Sequence, residues 1–212
     1  MKSIFTIIFL FIASSFYAQE KEMSPQIEWG FVVGLSYGQL AGVASPSDTA
    51  MAFFNSVETQ AVVGVHAGIA VTFPINSKWE FEPQFVANML GPRVVYERKN
   101  GRLETFRVQP LRIDLPLHIH YKNGKENAGL SVGIKPLFGL SELGNSRPGL
   151  LEYDVMGDIG VRRKLHMGVG SYWLEILFSS SLLNIASPND NVYDEWFSEL
   201  RRQEITLRLH FM

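Results

Sequence analysis

Apolar and polar side chains alternate with a period of two along much of the chain. Ile27, Trp29, Phe31, Val33, Leu35 and Tyr37 alternate with Glu28, Gly30, Val32, Gly34, Ser36 and Gly38. Ala61, Val63, Val65, Ala67, Ile69, Val71 and Phe73 alternate with Val62, Gly64, His66, Gly68, Ala70 and Thr72. Leu111, Ile113, Leu115, Leu117, Ile119 and Tyr121 alternate with Arg112, Asp114, Pro116, His118, His120 and Lys122. Successive side chains of a strand point to opposite faces, so each segment predicts a strand with one apolar face. At 46% apolar composition, six alternate positions are all apolar by chance roughly one time in a hundred. Three such segments therefore mark a design.

Weaker alternation predicts further strands over 79–90, 128–140 and 151–163, another ending near Phe178 to Ser181, and a last one over 204–211. The total is eight. Residues 162–171 read either as a turn or as a strand continued through a bulge. Connections alternate in length, with 39–60, 91–105, 141–150 and 183–200 long and 74–78 and 122–127 short, the latter holding the hairpin pair Asn123-Gly124. An even number of strands with alternately short and long connections predicts an all-β, eight-stranded antiparallel up-and-down transmembrane β-barrel. Both termini then lie on the periplasmic side. Trp29, Phe73, Trp79, Tyr121 and Phe211 all fall at that rim, where amphipathic rings collect at the membrane interface.

The first residues fit this placement. Lys2 precedes the apolar stretch Ile4 to Ile12, with small and polar residues through Ala18 and Gln19. This reads as a secretory signal peptide over residues 1–18, cleaved after Ala18 or after Ser15, with the barrel over 19–212. The stretch is too short for a membrane helix. Absence of cysteine excludes disulfides, thiolate metal sites, cysteine nucleophiles and a lipid-modified N-terminal cysteine. A net charge of −2 gives no electrostatic reason to expect nucleic acid.

On the inward face this register places Glu80, Glu82, Arg112, Asp114, His118, His120, Lys135, Asp154, Asp158, Glu175, Glu204, Arg208 and His210. A barrel of eight strands is just wide enough for side chains to fill, and isolated buried charges are prohibitively costly. Mutual pairing in a structural plug is therefore expected rather than a solute path. At least one of Arg112 and Lys135 should pair with Glu80, Glu82 or Asp114. His118 and His120 stand two apart on one strand face, and His66 is a further candidate for the lumen. With no third ligand fixed by the sequence, neither a metal site nor a cofactor is expected.

No Gly-x-Ser-x-Gly elbow occurs, and Ser179, Ser180 and Ser181 have no histidine near them in sequence, so no catalytic residues are assigned. A rim-located lipid-modifying enzyme and a small passive pore stand as the alternatives to a non-enzymatic structural barrel. In the last long connection, Ser187-Pro-Asn-Asp190 offers turn and cap residues. Val192, Trp196 and Leu200 then recur at helical spacing, which predicts a short amphipathic helix as a candidate partner surface.

Several stretches together resemble the PorT-like outer-membrane barrels of Bacteroidota. They are Phe81-Glu-Pro-Gln-Phe85, Arg93-Val-Val-Tyr96 and Leu111-Arg-Ile-Asp-Leu-Pro-Leu117. Glu175 with Phe178 and Leu182-Leu-Asn-Ile185 extends the likeness, as do Leu200-Arg201 and the closing His210-Phe211. The end of the chain is most similar to the branch associated with type IX protein secretion. The resemblance implies an outer-membrane barrel in contact with lipid, with type IX secretion components as partners and no catalytic signature.

Overall fold

The computed structural model describes residues 26–123, 128–140, 153–167, 170–186 and 194–211. Residues 1–18, Gly124, the loop 141–150, Ser187-Pro-Asn-Asp190 and Val192 lie outside these. In chain order the first elements are β1 (Glu28–Ala44), α1 (Asp48–Phe53), β2 (Phe54–Gln60), β3 (Val62–Pro74) and β4 (Trp79–Met89). Then come β5 (Arg93–Arg98), β6 (Leu103–Arg107), β7 (Arg112–Asp114), β8 (Leu117–Lys122) and β9 (Ala128–Gly139). The chain ends with β10 (Tyr153–Met167), β11 (Gly170–Ser181) and β12 (Phe197–Phe211).

The wall runs β1-β3-β4-β7/β8-β9-β10-β11-β12, each neighbour antiparallel, and β12 closes on β1 with Leu207 opposite Leu35. Strands β7 and β8 are one wall strand interrupted at Leu115-Pro116, so the barrel has eight. Proline supplies no N–H to a ladder, which breaks the regular pairing there. The gap stays bridged, since Leu115 N–H donates to Pro136 O at 2.8 Å and Pro116 O accepts from Gln84 N–H at 2.9 Å.

The outer face carries Trp29 at 69%, Val63 at 65% and Ile159 at 63% exposure. An apolar surface encircling the molecule is untenable in water and is the lipid-facing wall. Among the described residues no helix is long and apolar enough to cross a membrane. Strands closed on themselves satisfy every backbone group without water, as the bilayer demands.

Three expectations are corrected at the barrel's far end. The connection 39–60 is largely ordered, because β1 continues to Ala44 and is followed by α1 and β2. The connection 91–105 contains β5 and most of β6, and β2-β5-β6 form a separate three-stranded sheet. This sheet prolongs the β3/β4 pair beyond the wall, bending at Ala61 and at Leu90-Gly91-Pro92. The predicted helix at Val192, Trp196 and Leu200 is not formed over its described part. A single 3-10 turn, Asp194–Trp196, leads directly into β12, which starts at Phe197 instead of Glu204.

Trp196 and Leu200 are buried, so they offer no partner surface. They belong to an apolar core with Leu40, Phe54, Tyr96 and Ile185 that caps the barrel mouth. Phe54 packs on Tyr96 at 5.1 Å between ring centroids and edge-on to Trp196 at 6.4 Å. The molecule therefore has an apolar core outside the membrane and a polar one inside the wall. We expect Ile185→Val, which removes one methylene from the cap, to cost about 1 kcal/mol there. Amide exchange should quicken over 93–98 and 194–200 while the wall strands stay protected, and uniform quickening would show that cap and barrel unfold as one.

Candidate functional site: the charged lumen

Inward-pointing positions of the wall strands deliver the ionisable side chains to one narrow interior. All thirteen predicted inward residues are buried, and His66 joins them. Small residues make room for the large ones. At Gly133 a Cβ would stand 2.3 Å from the His118 ring, so the imidazole lies directly over the β9 backbone.

At the end of the wall where β1 begins and β12 ends, Glu80 pairs with both Arg162 and Lys122. The Arg162 guanidinium also stacks 4.3 Å from the centre of the Trp173 ring. Above this tier, Glu82 Oε1 accepts from Gln84 Nε2 at 2.7 Å and Oε2 from Thr72 at 3.0 Å. Glu175 Oε1 accepts from Ser131 and Oε2 contacts His210 Nε2 at 3.1 Å. Arg208 reaches the tier through Gln84 Oε1, to which it donates at 3.0 Å.

The next tier is built on Arg112. Its Nε donates to Asp114 Oδ1 at 2.7 Å and its Nη2 meets Glu204 Oε1 at 2.6 Å. Lys135 Nζ lies 3.2 Å from Glu204 Oε2 and donates to Ser179 Oγ at 3.1 Å. Asn88 donates to Asp114 Oδ2 at 3.0 Å, and Asp158 Oδ2 meets His118 Nε2 at 2.9 Å. Toward the mouth, Ser181 donates to Asp154 and Arg202 donates to Gln109 Oε1 at 2.7 Å. The expected pairing of an Arg112 or Lys135 cation with Glu80, Glu82 or Asp114 is thus realised by Arg112 and Asp114.

Arg162, Arg202, Gln84, Asn88, Ser131 and Ser179 complete the network and were not anticipated. Arg162 carried a signal, since it continues the face of Asp154 and Asp158 at even spacing; β10 runs on through it without a bulge. Arg202 likewise shares the parity of Glu204, Arg208 and His210. Ser179 and Ser181 point into this network, bonded to Lys135 and Asp154.

The rim residues Trp29, Phe73, Trp79, Tyr121 and Phe211 lie at the end of the wall where β1 begins and β12 ends. Trp79 packs on Tyr121 and Tyr172 on Phe211, each at 5.0 Å between centroids, and Phe73 stacks on Phe81 at 6.3 Å. Three ligand-type groups also converge among the described residues. One atom each of His118, His120 and Glu175 lies within 4.8 Å of the others.

An apolar belt round a closed wall with a charged interior defines a bacterial outer-membrane β-barrel. Residues 17–186 match the outer membrane protein beta-barrel domain, and the chain belongs to that family. It is an outer-membrane protein whose wall faces membrane lipid. No curated protein matches the sequence. Among solved structures it is similar to Ail, the attachment invasion locus protein of Yersinia pestis, at 9% identity and TM-score 0.43, over 88% of this chain and 98% of Ail. It is also similar to OprG of Pseudomonas aeruginosa at 11% identity and TM-score 0.43, over 90% and 96% of the two chains. A Pseudomonas aeruginosa FadL homologue is similar at 7% identity and TM-score 0.35, over 73% of this chain and 37% of that one.

Proposed function

We propose that this barrel is a non-enzymatic structural or accessory subunit of an outer-membrane assembly, exported by a cleaved signal peptide over residues 1–18. The lumen carries the reading. Glu82, Arg112, His118, His120 and Glu175 are 0% exposed, and a side chain lining a water-filled channel would touch water. An interior so filled leaves the protein to act through its surfaces. The resemblance to PorT-like barrels makes type IX secretion, in a member of the Bacteroidota, the assembly of choice.

Cross-linking in intact cells followed by purification from outer membranes tests the assignment. Recovery of type IX secretion components is expected, and a cross-linked set without them would remove that assembly from the reading. Planar bilayers test the rival pore. Purified wild-type protein is expected to give no reproducible single-channel steps, and regular steps would replace the structural role with solute passage. Lipid A from wild-type and deletion strains is expected to give identical mass spectra, whereas a lost modification would mean enzymatic activity at the rim.

A further inference from the structure

We propose that the lumen holds one divalent transition-metal ion of the Zn2+ class, bound by His118 and His120 of β8 and Glu175 of β11. Proton bookkeeping at His120 is the first support. The Ser131 hydroxyl has one proton, which it gives to Glu175 Oε1. His120 Nδ1, 2.9 Å from the same oxygen, must therefore be the donor to it. In the neutral ring this leaves an electron pair on Nε2, and that atom has no hydrogen-bond partner among the described residues and faces Glu82 Oε1 at 3.5 Å. A lone pair turned toward a buried carboxylate is repulsive unless a cation stands between them.

His118 repeats the pattern. Its Nε2 is held by Asp158, and its Nδ1 is buried without a hydrogen-bond partner among the described residues. Protonating Nδ1 would strand a donor there, and leaving it bare strands an acceptor. A metal ion on Nδ1 removes both difficulties. Each imidazole would then present one nitrogen to the ion while a hydroxyl or carboxylate orients the other, which is the usual support of a histidine ligand.

Charge and distance agree. Among the described residues, seven buried carboxylates face five buried Arg and Lys side chains and the partly buried Lys122, so the acids outnumber these cations by one. Glu82 and Glu175, the acids beside the histidines, are contacted by His210 at 3.3 and 3.1 Å and have their nearest guanidinium nitrogens only at 3.8 and 3.9 Å. One nitrogen of each imidazole and one Glu175 oxygen lie within 4.8 Å of one another, and three such atoms share a point no farther than about 2.8 Å from each, within reach of ligation at about 2.1 Å once the side chains turn toward an ion. Imidazole and carboxylate donors without sulfur suit Zn2+ and related first-row ions and disfavour Mg2+ and Ca2+.

The test uses tag-free mature chain, refolded into detergent with Zn2+ and passed over a chelating resin, with folding checked by heat-modifiable electrophoretic mobility. Wild-type protein is expected to retain about one Zn2+ per chain. His120→Gln and His118→Gln should bind at least about tenfold more weakly, and Asp158→Asn about tenfold, through the lost orientation of His118. The exposed His166→Gln should match wild type. X-ray absorption of the Zn2+-loaded wild type needs no variant to fold, and imidazole scattering with oxygen neighbours is the expected spectrum. Folded wild type retaining no metal would overturn the proposal and leave a proton on His120 Nε2 in the cation's place. Equal retention by His118→Gln and His120→Gln, or a shell of oxygen ligands alone, would do so by placing the ion elsewhere.

Discussion

Arg112→Met is expected to destabilise the barrel by about 3 to 5 kcal/mol in a urea titration into detergent or lipid, the range for leaving one partner of a buried ion pair alone. Arg112 is 0% exposed and bonds both Asp114 and Glu204. The two acids are not equally dependent on it. Glu204 keeps Lys135 at 3.2 Å, whereas among the described residues Asp114 keeps only the neutral Asn88 amide at 3.0 Å. Asp114 is the charge left stranded, so the rescuing second change is Asp114→Leu. The double variant should lie much closer to wild type than the single one, because the penalty comes from the orphaned carboxylate. A neutral Arg112→Met with raised ion conductance would mean that the guanidinium lines water, and the pore would become the better reading.

Legibility in the sequence followed the reach of the period. The wall and its inward charges could be read because a lipid-facing strand must keep one face apolar through its whole length, so parity survives even where a single residue is ambiguous, as at Arg162. The cap could not be read in this way. Leu40, Phe54, Tyr96, Ile185 and Trp196 come from three separate connections, and none carries a long alternating run of its own. The helix predicted at Trp196 and Leu200 failed for a simple reason. A spacing of four residues satisfies a helical face and, being even, a strand face as well, and β12 took the second option. The third ligand-type group, Glu175, was invisible beside His118 and His120 because it reaches them across the lumen, with no local signature of that meeting.

The wall itself gives the second large effect. Leu35→Arg should cost about 2 to 4 kcal/mol, the range for a cationic side chain on the lipid face near the midplane of a barrel. Leu35 is 51% exposed on the outer face, between Leu207 on β12 and Val65 on β3. It stands six positions beyond Trp29 at the aromatic rim. At a strand rise of about 3.4 Å and a tilt of about 40°, it stands about 15 Å above that ring, near the middle of an apolar band about 25 Å tall. There the guanidinium cannot reach either interface without distorting the bilayer. Moving along the strand by one residue reverses the chemistry, since Ser36 faces the lumen with His66 Nδ1 at 3.1 Å and Thr206 Oγ1 at 3.2 Å. Ser36→Ala should therefore leave insertion intact and lose only part of one polar contact set, about 1 kcal/mol. The pair is read in a folding titration into lipid vesicles. If Leu35→Arg proved harmless while Ser36→Ala blocked insertion, every side chain of β1 would have to be turned to the opposite face, because a one-residue slip exchanges the two sides of a strand.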